Sequence, residues 1–255
     1  MTKFNTTIGT VGDFGRFGNL FFRNICASII SKKNNIKFTY AFYEEFKQLG
    51  IDLYIDGQLS YEDENTIILI DKDFYIYIID PNLNINSNLN FFNHNFFQTR
   101  EFCFYLRDYF YNDTRKENII KHNIYSNRYQ NNNDVFIHIR LGDTINMNVN
   151  IDYEYYDSLL AKITFENGFI SSDSIEHEYC KNLIKKYNLK VINYNEVNTV
   201  MFGSTCKNII LSNGTFSWLI GFFGFYSNIY YPNPKIKRIW HGDIFVFPEW
   251  NVVDL

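Results

Sequence analysis

The second half of the chain alternates between short β-rich runs and helix candidates, and this alternation is the feature that most limits its fold. We expect strands at residues 135–140, 165–171, 190–194 and 208–211, and helices at residues 153–162, 174–187 and 216–225. Repeated strand–helix units of this spacing are typical of a parallel sheet covered by helices on both faces. The pattern therefore predicts an α/β fold for this half.

The first half shows the same alternation less regularly. Its strand candidates lie at residues 6–11, 36–40, 66–70 and 74–79, and its helix candidates at residues 20–30 and 102–111. A glycine-rich turn, Gly15-Arg16-Phe17-Gly18-Asn19, separates the first strand from the first helix. Residues 129–134, which are rich in Asn, are the most linker-like segment. We therefore expect two domains, at residues 1–130 and 131–255.

Composition excludes several classes of protein. The chain has 255 residues, is 46% hydrophobic and carries a formal net charge of −4, which argues against a nucleic-acid partner. Its four cysteines are scattered, without the spacing of a metal or redox site. The N-terminus lacks a signal-peptide pattern, and no run approaches the roughly 20 apolar residues of a membrane span. We therefore expect a cytoplasmic protein without a transmembrane segment.

Polar residues follow three of the expected strands in the second half. These places are residues 138–143, 171–173 and 212–217. Because parallel sheets bind their ligands at the carboxyl ends of the strands, we expect the three segments to meet in one site.

Arg140 ends the first of these strands, two residues after His138. Alternate side chains of a strand share a face, so both should point the same way. A planar guanidinium suits bidentate recognition of phosphate. The alternative is a structural ion pair with Asp143.

The other two segments each follow a strand and precede a helix. Ser212-Asn213-Gly214-Thr215-Phe216-Ser217 would place hydroxyl and backbone N–H groups at a helix N-terminus, which is a favourable site for an anion. Ordinary helix capping, without a ligand, is the alternative both for this segment and for Ser171-Ser172-Asp173.

Other common catalytic motifs are absent. The chain has no G-x-G-x-x-G fingerprint, Walker loop, His-Glu-x-x-His, Gly-x-Ser-x-Gly or Cys-x-x-Cys. The nearest match to a metal-binding Asp-x-Asp triplet is Asp71-Lys72-Asp73, whose place in the first half makes it a poor candidate. We therefore expect no metal site.

In their order and spacing, the motifs resemble those of the alpha-1,2-fucosyltransferase family, whose superfamily includes the protein O-fucosyltransferases and alpha-1,6-fucosyltransferases. The matching segments are Gly15-Arg16-Phe17-Gly18-Asn19, His138-Ile-Arg140-Leu-Gly142-Asp143, Phe169-Ile-Ser171-Ser172-Asp173, Leu211-Ser-Asn213-Gly-Thr215-Phe-Ser217-Trp218, Tyr231-Pro-Asn-Pro234 and Pro248-Glu-Trp250. Two positions depart from the family pattern, where His177 and Leu219 stand in place of frequent tryptophans, and the chain is short for the family.

The resemblance implies a GT-B-like fold, in which two Rossmann-type halves with parallel sheets face a cleft. Residues 1–130 would form the acceptor-side half and residues 131–255 the nucleotide-sugar-binding half. Arg140 would clamp the diphosphate in place of a metal. The further roles implied are phosphate binding by Ser212, Asn213, Thr215, Phe216 and Ser217, guanine recognition by Asp173 and His138, and contact with the donor sugar or acceptor by Asn19. Asp143 is the nearest acid of the motif, either as a general base or as the partner that orients Arg140.

The implied activity is transfer of L-fucose from GDP-fucose to a glycan hydroxyl, with inversion and without a metal or other cofactor. The partners would be the nucleotide-sugar donor and the glycan acceptor. Two alternatives remain open: a transferase for another nucleotide sugar, and a non-catalytic carbohydrate-binding protein on a decayed transferase fold.

Overall fold

The chain divides into two compact units, Met1–Ile119 and Ile120–Leu255. The computed structural model describes residues 6–11, 15–80, 82–91, 95–233 and 243–254. The domain boundary expected from the sequence, after residue 130, lies 11 residues beyond this division after Ile119. The Asn-rich residues 129–134 are tied into the second unit, where Asn123 Nδ2 donates to Tyr129 Oη at 3.2 Å and Asn132 Nδ2 donates to the Thr205 carbonyl at 3.0 Å.

The second unit is built on a six-stranded sheet in which every neighbouring pair is parallel. Its strands are β7 (Val135–Ile139), β8 (Gly168–Ser172), β9 (Lys190–Val191), β10 (Asn208–Ile210), β11 (Asn228–Pro232) and β12 (Asn251–Val253). The spatial order is β12-β11-β10-β7-β8-β9. All five residues of β7 are buried, as expected for a central strand of a parallel sheet with both faces covered.

Helices connect the strands of this sheet. They are α5 (Gly142–Asn146), α6 (Tyr153–Lys162), α7 (Glu178–Tyr187), α8 (Glu196–Gly203) and α9 (Thr215–Phe222), with a short 3₁₀ turn at Ser126–Arg128. Helix α7 begins at Glu178 rather than at residue 174, because His177 caps it: the His177 Nδ1 accepts the Tyr179 N–H at 3.2 Å. Helix α8 is not predicted by the sequence; its N-cap is Asn195, whose side chain accepts the Asn198 N–H at 2.9 Å.

The first unit surrounds one long buried helix. Its elements are β1 (Thr6–Thr7), β2 (Gly9–Val11), α1 (Phe17–Asn34), β3 (Phe38–Tyr40), α2 (Tyr43–Gln48), β4 (Tyr61–Glu62), β5 (Thr66–Leu69), β6 (Asn88–Phe91), α3 (Arg100–Phe110) and α4 (Asp113–His122), which crosses the division. The pairs β2–β3 and β5–β6 are parallel, β1–β4 is antiparallel, and β6 lies beside β2. Helix α1 ends where Asn35 adopts a left-handed conformation with φ 54°.

One expected strand of the first unit is wrong. Tyr75–Ile79 forms a π-helical turn instead. The preceding Phe74 is buried, and its ring contacts those of Phe102 and Tyr105 on α3 at centroid distances of 4.5 and 5.2 Å. Packing against a distant helix therefore overrides the β-propensity of the Ile- and Tyr-rich run.

The predicted α/β class, with Rossmann-type halves of the GT-B kind, is confirmed in its mixed helix–strand character and in the parallel sheet of the second unit. Within the described part of the chain, no helix combines the length and apolar character that crossing a bilayer requires.

Candidate active site

Three loops of the second unit meet at the carboxyl edge of its sheet. They follow β7, β8 and β10, which are neighbours in the order β10-β7-β8. The Arg140 backbone N–H donates to Ser212 Oγ at 3.3 Å, and the Leu141 N–H donates to Asp173 Oδ1 at 2.9 Å. The structure thus brings together the three segments that the sequence places after these strands.

The Arg140 side chain is held by Asp143. Its Nε donates to Asp143 Oδ1 at 3.1 Å, and its Nη2 donates to Oδ1 at 3.0 Å and to Oδ2 at 2.7 Å. The Arg140 side chain is 9% exposed, whereas that of Asp143 is 43% exposed. The ion pair with Asp143, which the sequence suggests as the alternative to phosphate binding, is therefore present. Its three hydrogen bonds fix the plane of the guanidinium.

Gly214 allows Arg140 Nη1 to approach the start of α9. A Cβ atom placed on Gly214 would lie 2.8 Å from Arg140 Nη1. Gly214 has φ 115° and ψ 157°, a conformation that only glycine adopts readily. Helix α9 begins at the next residue, and N–H groups in the first turn of a helix have no acceptor within it. A guanidinium nitrogen and a helix N-terminus therefore lie side by side, which is a favourable arrangement for an anion.

The polar side chains around this turn hold its shape. Ser217 Oγ accepts the Ser212 N–H at 2.8 Å, and Ser212 Oγ donates to Asn213 Oδ1 at 3.4 Å. Asn213 Nδ2 donates to the Val149 carbonyl at 3.0 Å. Ser212 is completely buried, and Ser217 almost so. The side chains of these three residues therefore support the backbone, which in turn presents its N–H groups.

His138 and the α9 turn are in contact. The His138 ring lies 5.2 Å from the Phe216 ring in an edge-to-face arrangement. His138, Arg140 and Thr215 are all buried. His138 and Arg140 thus both reach the same turn, as strand alternation predicts.

Asp173 is tied to the loop that carries Arg140. Its Oδ1 accepts the N–H groups of Leu141 at 2.9 Å and Gly142 at 3.1 Å. Its Oδ2 lies against Gly142, where a Cβ atom would be 2.8 Å away. With Oδ1 engaged by the backbone, a ligand N–H would be accepted mainly by Oδ2. The carboxylate therefore has a structural role at residues 141–142, and it does not cap the helix that follows it, because His177 caps that helix.

Asn19 lies in the first unit, in the first turn of α1. Its Oδ1 accepts a hydrogen bond from Gln98 Nε2 at 3.0 Å. Gly15, with φ 114°, lies so close to Phe96 that a Cβ atom on it would be 2.8 Å from the Phe96 Cε1. The glycine-rich turn thus packs against residues 95–98, a segment in which no motif is visible from sequence.

The Asp71-Lys72-Asp73 triplet forms a turn. Asp71 Oδ1 accepts the Phe97 N–H at 2.8 Å, and Asp73 Oδ2 accepts the Ile70 N–H at 2.8 Å. Burial raises the pKa of the Asp71 carboxyl. The described residues contain no group of three or more His, Cys, Asp or Glu side chains arranged to hold a metal ion.

The two tryptophans of the remaining motifs belong to the core. Trp218 is fully buried, and its Nε1 donates to the Ile244 carbonyl at 2.7 Å. Its ring lies 6.3 Å from that of Trp250. Leu219, which departs from the family pattern, is also fully buried. Pro234 lies outside the described residues.

A fixed, buried arginine beside a helix N-terminus, at the carboxyl edge of a parallel sheet, is the arrangement expected of an enzyme that handles a phosphate-bearing substrate. The model of glycosyl transferase family 11 matches residues 72–252, well over half of the chain. The chain therefore belongs to this family, that of the alpha-1,2-fucosyltransferases, and it is a fucosyltransferase enzyme.

Among solved structures, the chain is similar to two crystal structures of the fucosyltransferase NodZ from Bradyrhizobium. The first is 10% identical, covers 84% of this chain and 92% of that chain, and has a TM-score of 0.47. The second, a selenomethionine form, is 11% identical, covers 85% and 92%, and has the same TM-score of 0.47. No curated protein sequence matches the chain.

Proposed function

We propose that this enzyme transfers L-fucose from GDP-fucose to a glycan hydroxyl in an alpha-1,2 linkage, with inversion and without a metal ion. The observation that carries the proposal is the buried Arg140, whose Nη1 faces the turn that begins α9. In this mechanism the acceptor hydroxyl oxygen attacks C1 of fucose and gives up its proton to water as the bond from C1 to the diphosphate oxygen breaks. Negative charge then develops on the leaving diphosphate.

Arg140 is the residue that stabilises this charge. A preorganised cation in a water-poor site stabilises developing charge without having to reorganise during the reaction. The N–H groups of Thr215, Phe216 and Ser217 supplement it at the N-terminus of α9. Such a site supplies the positive field that a divalent cation provides in other transferases.

The remaining roles follow the same assignment. Asp173 Oδ2 accepts from the guanine edge, beside His138, and Asn19 contacts the nucleotide sugar. For Asp143, the three hydrogen bonds to Arg140 favour an orienting role over that of a general base.

The test is to measure hydrolysis and transfer with GDP-fucose, GDP-mannose, UDP-galactose and UDP-glucose, each with and without excess EDTA. We expect turnover with GDP-fucose alone, unchanged by the chelator, and an alpha-1,2 linkage in the product by NMR. Turnover with a different sugar nucleotide would favour the first alternative. Binding of glycans without turnover of any donor would favour the non-catalytic alternative. Activity that EDTA abolishes and Mn²⁺ restores would overturn the role given to Arg140.

A further inference from the structure

A groove in the first unit lies at the C-terminal end of α1. Its volume is about 440 Å³, within the range of roughly 300–1,000 Å³ that is usual for small-ligand sites. One wall comes from residues 28–33 of α1, a second from residues 52–56, and a third from Tyr109 and Arg115. The groove therefore lies wholly within the first unit.

The groove is separate from the turn that carries Asn19. Lys32, in its first wall, follows Asn19 by 13 positions in the same helix. At a rise of about 1.5 Å per residue, the two lie about 20 Å apart along α1. A ligand in the groove would therefore occupy a different place from the nucleotide sugar that we assign to Asn19.

The second wall is held against α1 by hydrogen bonds at Tyr54. Ser28 Oγ accepts the Tyr54 N–H at 2.8 Å, and Tyr40 Oη donates to the Tyr54 carbonyl at 2.7 Å. Tyr54 Oη donates to Asn35 Oδ1 at 3.1 Å. Both backbone polar groups of Tyr54 and its hydroxyl are thus engaged, so the position of its ring is fixed.

The third wall is also ordered. The Arg115 guanidinium lies 3.6 Å from the centre of the Tyr109 ring, and its Nη1 donates to the Tyr109 carbonyl at 3.3 Å. Asn118 Nδ2 donates to the Gly50 carbonyl at 2.8 Å, which ties α4 to the segment that leads into the second wall. The groove is therefore preformed, which lowers the entropic cost of binding.

Charged groups of both signs line the groove. Lys32, Lys33 and Arg115 supply cations, and Asp52 and Asp56 supply carboxylates. An anionic ligand would be repelled by the carboxylates and a cationic ligand by the cations. An apolar ligand would cover charges without giving them hydrogen bonds, which is unfavourable. A hydroxyl group both donates and accepts, so a ligand rich in hydroxyls is compatible with both signs.

Two tyrosine rings lie beside these charges. Tyr54 and Tyr109 are each partly exposed, so their rings offer apolar surface to a ligand. A sugar ring has faces of C–H groups and a rim of hydroxyls, and it can therefore use the tyrosines and the charged groups together. We propose that this groove is a carbohydrate-binding site that takes an uncharged oligosaccharide, independently of the nucleotide-sugar site.

The test uses the full-length chain and no sugar nucleotide. Binding of cellotetraose, maltotetraose, inorganic phosphate and spermidine is titrated by saturation-transfer NMR. We expect at least one of the two tetrasaccharides to bind, and phosphate and spermidine to bind more weakly or not at all. Binding of phosphate or spermidine without either tetrasaccharide would overturn the inference, as would no binding at all.

A charge-neutral double variant places the binding in the groove. Lys32 and Asp56 are both exposed, whereas Lys33 Nζ is engaged by the carbonyls of Tyr77 and Asp80. Lys32→Ala/Asp56→Ala should therefore leave the melting temperature nearly unchanged. It should weaken tetrasaccharide binding about tenfold, the scale for losing two hydrogen bonds to a ligand.

The matched control is Glu44→Ala/Lys47→Ala, which also removes one acid and one base from exposed positions, on α2. It should bind as the wild type does. Equal affinity in the two double variants would overturn the inference, and if the first does not fold, Lys32→Ala and Asp56→Ala decide the question singly. Because no donor is present, a wild-type protein that binds the tetrasaccharide but transfers no fucose contradicts only the proposed function.

Discussion

Gly214 and Arg140 are in such close contact that a single methyl group between them would lie 2.8 Å from Arg140 Nη1. The contact joins the loop after β7 to the loop after β10. It determines how close the Arg140 guanidinium lies to the start of α9. A small change at Gly214 should therefore be felt at the proposed diphosphate site.

Gly214→Ala should lower kcat for fucose transfer by tenfold or more, because the new Cβ displaces the guanidinium from its fixed position. It should also destabilise the fold by about 1–3 kcal/mol, since alanine is strained at φ 115°. The control is Gly50→Ala, at φ 77° in the first unit, which should lose stability but keep kcat. Equal effects of the two substitutions on kcat would contradict the prediction.

Arg140→Ala should lower kcat by roughly a hundredfold or more, the scale for removing one preorganised electrostatic donor. Arg140→Lys should remain badly impaired, because lysine keeps the charge but lacks the planar fork. GDP affinity, measured by calorimetry, should fall less than kcat, because the interaction strengthens as charge develops. If Arg140 serves only as the partner of Asp143, the loss of activity would instead follow the unfolded fraction in thermal melts.

Asp143→Asn should lower kcat about tenfold or less, because an amide oxygen can still accept from the Arg140 guanidinium. The acid limb of the pH–rate profile should keep its shape. The double variant Arg140→Ala/Asp143→Ala should be no worse than Arg140→Ala alone. Loss of the acid limb in Asp143→Asn, with a far larger fall in kcat, would make Asp143 the general base instead.

Asp173→Asn should separate the two roles of this residue. The asparagine Oδ1 can still accept the N–H groups of Leu141 and Gly142, whereas Nδ2 cannot accept from guanine. We expect an unchanged melting temperature and a loss of about 1–3 kcal/mol in GDP binding, the scale for a polar group that bound GDP would cover and leave without an acceptor. Calorimetry with GDP, UDP and ADP checks this: the wild type should prefer GDP, and the variant should not. A variant that still ranks GDP first would remove Asp173 from base recognition.

The free energy of unfolding should fall as the pH rises from about 8 to 10. Burial raises the pKa of the Cys26, Cys180 and Cys206 thiols, that of Cys206 to about 12. In the unfolded chain a thiol ionises near pH 8.5, so above that pH the folded state holds more protons than the unfolded state. Stability is therefore full below this pH and is lost above it, and the Cys206 thiol contributes about 2 kcal/mol of this loss at pH 10.

Urea unfolding in the presence of a reducing agent, at pH 7.5, 9 and 10, measures this loss. Cys206→Ala should show a shallower dependence on pH than the wild type, because one of the three thiols is gone. A free energy of unfolding that stays constant up to pH 10 would contradict the prediction.

Part of the second unit could be predicted from its sequence, because β7, β8 and β10 are largely apolar runs that are followed by polar residues. Once β7, β8 and β10 are taken as parallel neighbours, the meeting of Arg140, Asp173 and Ser212 follows. The ion pair between Arg140 and Asp143 could be predicted from the sequence as the alternative to phosphate binding by Arg140.

Other features depend on contacts that sequence patterns do not reveal. The π-helical turn at Tyr75–Ile79 follows Phe74, which packs on α3, and nothing within the run itself signals this. Gln98 lies outside every motif, and its bond to Asn19 spans 79 residues. The close approach of Gly214 to Arg140 could not be predicted from the sequence either. The only related signal in the sequence is that a glycine directly precedes the predicted helix.

The hydrogen bonds from the Leu141 and Gly142 backbone to Asp173 have an evolutionary consequence. One carboxylate serves both the loop that would meet the base and the loop that carries Arg140. A lineage that replaced Asp173 by a residue unable to accept the Leu141 and Gly142 N–H groups, in order to bind a different base, would at the same time release the arginine loop. In descendants of this enzyme, changes at Asp173 should therefore be limited by the loop that carries Arg140 as well as by the base.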